Sequence, residues 1–157
     1  MIGVFVITII LLVIIDQLTK YLAIIYLKPI GTIPCIQEIF HFTFVENRGA
    51  AFGILQNKTW FFIITTLFIL LGMIYYYFTL PSTQEYRWIR ISLILIIAGA
   101  IGNLIDRIKQ GYVIDFFDFR LIQFPVFNVA DCYVVIGTFL LAYLLLFVIK
   151  ELPVEKE

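Results

Sequence analysis

The sequence predicts an all-α membrane protein with four transmembrane helices, and two observations carry that expectation. Hydrophobic residues fill 62% of its 157 positions and charged residues only 14%, against about half and about a quarter in a soluble domain. Four runs are also long enough to cross a hydrocarbon core, which takes about 20 apolar residues as a helix.

The first run, about Gly3–Leu27, has no basic start and no small-residue cleavage site, so it reads as a retained helix rather than a leader. The second and third, Trp60–Leu80 and Trp88–Ile108, are joined by the short polar linker Pro81–Arg87, as in a membrane helix hairpin. The fourth runs Val129–Ile149, and Glu151–Glu157 reads as a solvated tail. The length suits one domain over 1–157.

Two longer linkers remain, Lys28–Thr59 and Lys109–Asn128. Long loops in compact domains are usually functional or disordered, and these hold too many aromatics for disorder. Alternation in Phe40–Val45 suggests a short strand. An even number of crossings puts both termini on one side and both long linkers on the other, folded onto one membrane face. Charge does not orient the chain. Arg87, Arg90, Lys150 and Lys156 lie with the termini, and Lys28, Arg48, Lys58, Lys109 and Arg120 lie opposite.

Several functions are excluded early. Net charge is zero and the 11 basic residues are scattered, which speaks against nucleic-acid binding. Cys35, Cys132 and the single histidine, His41, form no metal or redox motif, so neither metal nor cofactor is expected. Ser82 and Ser92, the only serines, stand apart from the other polar clusters, which leaves serine hydrolysis unsupported.

Ionisable residues in or beside membrane helices are expensive and mark function by default. They fall into four clusters. In Asp16-Gln17-Leu18-Thr19-Lys20, Asp16, Thr19 and Lys20 share one helical face, and a self-neutralising Asp16–Lys20 pair competes with a direct role. Glu46-Asn47-Arg48-Gly49-Ala50-Ala51-Phe52-Gly53 suits a turn that lets backbone approach another chain, with Asn47 and Arg48 as donors. The stretch Ala98–Arg107 gives one face that is small at Gly99 and Gly102, then polar at Asn103, Asp106 and Arg107. In the last cluster Asn128 is a helix N-cap with Asp131 in the first turn, where the helix dipole favours a carboxylate. Asp115, flanked by Val113, Ile114, Phe116 and Phe117, has no such explanation.

Cys132 follows Asp131 but has only His41 as an imidazole partner, which leaves cysteine catalysis weakly supported and carboxylates as the main reactive groups. Two held close share a proton, one activating water while the other donates to the developing oxyanion. Desolvation favours a neutral Asp115, which makes it the acid and Asp131 the base. Asp106, beside Arg107, is an alternative partner for Asp131. On these residues alone, a peptidase and a small transporter or channel with intramembrane carboxylates stand close to even.

The clusters, in their order along the chain, resemble the lipoprotein signal peptidases (signal peptidase II), a family of membrane aspartyl peptidases. The matching stretches are Asp16–Lys20, Glu46–Phe52, Gly99–Arg107, Val113–Asp115 and Phe127–Asp131. Ala98 stands where the family often has glycine. The resemblance implies removal of signal peptides from prolipoproteins, cut just before a diacylglyceryl-modified cysteine. It implies Asp115 and Asp131 as the catalytic pair. Asp16, Lys20, Asn47, Arg48, Gly49, Asn103, Asp106, Arg107 and Asn128 would support the site or hold substrate. It further implies a small extracytoplasmic β-rich cradle, a bacterial cytoplasmic membrane location with cytoplasmic termini, and a site near the outer leaflet. Membrane phospholipid and globomycin-type inhibitors are the other expected partners. A lipid-anchored substrate would keep its chains in the bilayer, with Phe116, Phe117, Phe119 and Phe124 at the interface.

Overall fold

A computed structural model describes residues 2–49, 55–84 and 86–148. Four of its helices are long and apolar enough to cross a membrane. Helix α1 spans Ile2–Tyr26, α2 Thr59–Thr79 and α3 Arg87–Gln110. Helix α4 spans Val129–Tyr143 and continues as a π-helical turn through Leu144–Val148. These ends lie within two residues of the sequence expectation, save that Ile149 and the tail fall outside the described residues.

Helix α3 is the centre of the bundle. More than half of its apolar window is buried, against less than a fifth in each of the other three, whose outer faces are left for lipid. It packs on α4, α1 and α2, and the seam with α4 is closed by small residues. A Cβ on Gly99 would meet the carbonyl oxygen of Ala130, and one on Gly137 would stand 2.8 Å from the carbonyl oxygen of Ser92. Ala98 is wholly buried in the same core, so the missing glycine leaves the packing closed.

The two long linkers build one antiparallel sheet: β1 Thr32–Ile36, β2 Phe40–Asn47 and β3 Val113–Phe119, in that order. The alternation that marks Phe40–Val45 does form a strand, but it runs two residues further. Glu46 and Asn47 therefore pair with Ile114 and Val113 rather than opening a turn. Of the expected turn at Gly49–Gly53, Ala50 to Gly53 lie outside the described residues. Strand β3 follows α3 at once because Gly111 ends the helix with φ 81° and donates its N–H to Arg107 O. That left-handed conformation suits a residue without a Cβ. Ala23 near the end of α1 and Leu27 in the turn after it pack with Ile114 and Phe116, which seats the sheet on the bundle.

Candidate active site

The polar residues inside the bundle converge where α1, α3, α4 and β3 meet. Lys20 and Asp16, one turn apart on α1, are both almost fully buried. The Lys20 ammonium lies 2.9 Å from Asp16 Oδ2, 3.0 Å from Asp106 Oδ2 and 2.9 Å from Asn103 Oδ1. The pair expected within α1 thus extends to α3, and the cation that compensates Asp106 is Lys20 rather than the adjacent Arg107. Each carboxylate has a second task. Asp16 Oδ1 accepts the Ala130 N–H at the start of α4, and Asp106 Oδ2 accepts the Ile114 N–H of β3. A buried ion pair is no strong source of net stability. Here it ties three helices and a strand at one point.

Asn128 caps α4 as the sequence predicts, in a reciprocal box. Its Oδ1 accepts from Asp131 N at 2.9 Å, and Asp131 Oδ2 accepts from Asn128 N at 3.1 Å. Capping does not use up either side chain. Asn128 Nδ2 donates to Asp115 Oδ1 at 2.6 Å, and Asn103 Nδ2 donates to Asp131 Oδ1 at 2.8 Å. Asn47 Nδ2 donates to Asp115 Oδ2 at 2.9 Å, while its Oδ1 accepts the Gly49 N–H. Every carboxylate oxygen of Asp115 and Asp131 therefore holds an amide donor. Arg107 donates to Gly49 O and lies 4.9 Å over the Phe62 ring, within electrostatic reach of both aspartates.

Both aspartates line one cavity of about 480 Å³. Asn47, Gly49, Asn103 and Arg107 share its polar end, and Phe124–Phe127, Cys132, Val135 and Ile136 form an apolar wall. Asp115 is 1% exposed. Burial, reinforced by the charge of Asp131, pushes its carboxyl up to about 7 against the opposing amide bonds. A carboxyl that keeps its proton near neutral pH beside a second carboxylate is a ready acid–base pair.

Comparison with known proteins gives that chemistry its context. Residues 8–147 match the family described as Signal peptidase (SPase) II. The chain belongs to the lipoprotein signal peptidase family. It is 54% identical to the lipoprotein signal peptidase of Caldanaerobacter subterraneus subsp. tengcongensis over 133 residues, 84% of this chain and 88% of that one. With the lipoprotein signal peptidase of Clostridioides difficile it shares 49% over 148 residues, 94% and 98% of the two chains. A solved bacterial membrane enzyme, determined at 2.3 Å by the in meso method, superposes with a TM-score of 0.82 at 34% identity, covering all of this chain and 95% of its own. The activity is that of a signal peptidase II, an aspartic peptidase, which sets the transporter reading aside.

Of the residues the sequence singles out in this signal peptidase, the structure brings Asp115, Asp131, Asn47, Gly49, Asn103 and Arg107 to the cavity. Asp16, Lys20, Asp106 and Asn128 stand behind it in the hydrogen-bonded network. Arg48 does not join them: it is half exposed, on Glu46 and over the Tyr112 ring. Gln17 is a support that sequence reasoning passed over. Its Nε2 reaches Asp106 Oδ1 at 2.9 Å and Gly102 O at 3.3 Å. An amide inside an apolar span, next to Asp16, was the available signal. Of the wall residues on α4, Val135 follows Asp131 by four positions, a helical spacing that would have found it, and Ile136 follows Cys132 by four.

Proposed function

We propose that this signal peptidase hydrolyses the bond before a diacylglyceryl-modified cysteine of prolipoproteins, with Asp115 and Asp131 as a joint acid–base pair. The observation that supports this reading is that both carboxyls line one cavity, one of them with its proton held near neutral pH. Asp131 takes a proton from water, and the hydroxide adds to the scissile carbonyl carbon. Asp115 gives its proton to the carbonyl oxygen, forming a neutral tetrahedral diol. Asp115 then takes a hydroxyl proton back as the C–N bond breaks, and Asp131 protonates the leaving amine. The pair titrates jointly, so the roles belong to the first step only. Asn47, Asn103 and Asn128 keep both carboxyls in place, and Arg107 and Gly49 face the substrate.

The lipid of the substrate stays in the bilayer beside the apolar wall, so that only the peptide reaches the aspartates. Anchoring by acyl chains contributes binding without a deep soluble pocket. The sheet and the aspartates then face the outer leaflet of the bacterial cytoplasmic membrane, with both termini in the cytoplasm and phospholipid around the helices. Globomycin-type cyclic peptides would fill the same cavity.

The test is cleavage of a diacylglyceryl-modified prolipoprotein by purified protein in detergent. Asp115→Asn and Asp131→Asn are expected to abolish cleavage, Asp106→Asn to leave residual activity, and substrate without lipid to be cut poorly. Full activity in either of the first two variants would remove the assignment of the pair.

A further inference from the structure

Lys20 does not line the cavity, and no step of the reaction uses it, yet among the described residues it is one of the most deeply buried side chains. An ammonium offers three donors and no acceptor. All three are spent, on Asp16 Oδ2, Asp106 Oδ2 and Asn103 Oδ1. The third is the informative one. Asn103 Oδ1 also accepts from Asn128 Nδ2 at 3.1 Å, so two donors converge on one end of that amide. A flipped Asn103 would turn its N–H groups against both donors and set its oxygen against Asp131 Oδ1. With Lys20 in place, the Asn103 Nδ2 must face Asp131, where it donates at 2.8 Å.

We propose that Lys20 is a positioning residue for the peptidase reaction, fixing the Asn103 amide so that it holds the Asp131 carboxylate in its acting geometry. This rests on the reading of Asp115 and Asp131 as the catalytic pair. Simple charge neutralisation would explain less, because Asp16 and Asp106 already outnumber the single ammonium and neither oxygen pair needs Asn103. Arginine cannot replace lysine here, since a planar guanidinium does not present three donors around one point. The same cation also reaches Asp115. The charged groups around the pair are Asp131 on α4, Lys20 and Asp16 on α1, and Arg107 and Asp106 on α3. Lys20 favours the ionised form of Asp115.

The test measures kcat, KM and the pH profile of prolipoprotein cleavage for Lys20→Met, Lys20→Arg, Asn103→Ala, Asn103→Asp and the Lys20→Met/Asn103→Ala double variant. Asp115→Asn and Asp131→Asn run beside them, with thermal unfolding as the folding check. Lys20→Met is expected to lower kcat about 10- to 100-fold, the effect of losing one hydrogen bond to a charged group, with KM within about twofold. Its basic pH limb should move upward, because Asp115 holds its proton more firmly without the cation. Lys20→Arg should not restore kcat. The double variant should fall no more than about twofold below Asn103→Ala, as residues in one chain of contacts do. Asn103→Asp keeps both acceptors for Lys20 and Asn128 but has no donor for Asp131, so it should fold and lose kcat. That variant decides the matter if Lys20→Met does not fold. Multiplying losses in the double variant, wild-type kcat in Asn103→Asp, or wild-type kcat in Lys20→Arg would overturn the proposal. Activity retained in Asp115→Asn or Asp131→Asn would instead overturn the catalytic pair itself.

Discussion

Gly99→Ala tests how far the α3–α4 seam places Asp131. The added Cβ would run into the carbonyl oxygen of Ala130 and stand 2.8 Å from Val134 Cγ2, where ordinary contact begins near 3.4 Å. A backbone carbonyl cannot rotate aside, so α4 must move off α3 by roughly half an ångström or more, because packed interiors transmit strain. Overpacking of this kind costs about 1–3 kcal/mol, offset by about 1 kcal/mol from replacing a glycine in a helix. The net loss of stability is therefore modest. The larger effect is on chemistry, because Ala130 adjoins Asp131 and a misplacement of about 1 Å costs about 100-fold. Half of that displacement predicts a kcat loss of about tenfold. Gly137→Ala is the control. Its Cβ would stand 2.7 Å from Ile96 Cγ1 and 2.8 Å from Ser92 O, on the same seam but nearly two turns beyond Asp131. Thermal unfolding in detergent should show both variants weakened alike, with prolipoprotein cleavage depressed only in Gly99→Ala. Equal kcat in the two variants would refute the idea that this seam sets the position of Asp131.

Three further outcomes follow from the same geometry. Asp115→Asn should be inactive, and it should not share the wild type's loss of stability with rising pH. The folded carboxyl titrates near 7 against 3.8 unperturbed, so the wild type loses stability as pH rises from about 4 through about 7, at up to about 1.4 kcal/mol per unit. Unfolding midpoints at pH 4 and pH 8 check this, and the same drop between those pH values in both proteins would contradict it. Asn128→Ala removes an N-cap worth about 1 kcal/mol and strips Asp115 Oδ1 of its donor. It should lower both the unfolding midpoint and kcat, whereas unchanged kcat would make Asn128 a cap alone. Asp118→Ala, which breaks bonds to Thr43 on β2 and to Arg120 just after β3, outside the cavity, should leave kcat within about twofold while costing about 1–3 kcal/mol of stability. Comparison of kcat with the unfolding midpoint separates the two effects.

The sequence by itself determined the four helices, because a run of about 20 apolar residues in so uncharged a chain has no other stable use. It also determined the cap at Asn128 and the oddness of Asp115, since both are local: one is a residue type before a helix, the other a carboxylate among aromatics. Most of the site was legible because polar residues are rare here, so almost every one beside a span marks something. The strands β1 and β3 were not legible. Thr32–Ile36 and Val113–Phe119 lack the polar–apolar alternation of Phe40–Val45 and become strands only by pairing with β2. Partnership was likewise invisible. Asp106 sits beside Arg107 in sequence, but successive helical residues point apart, and the cation that reaches it comes from α1, 86 positions away. The convergence of Asn47, Asn103 and Asn128 on two aspartates depends on the α3–α4 crossing and on the register of β2 with β3. Those are set by long-range packing, which no local pattern in the chain records.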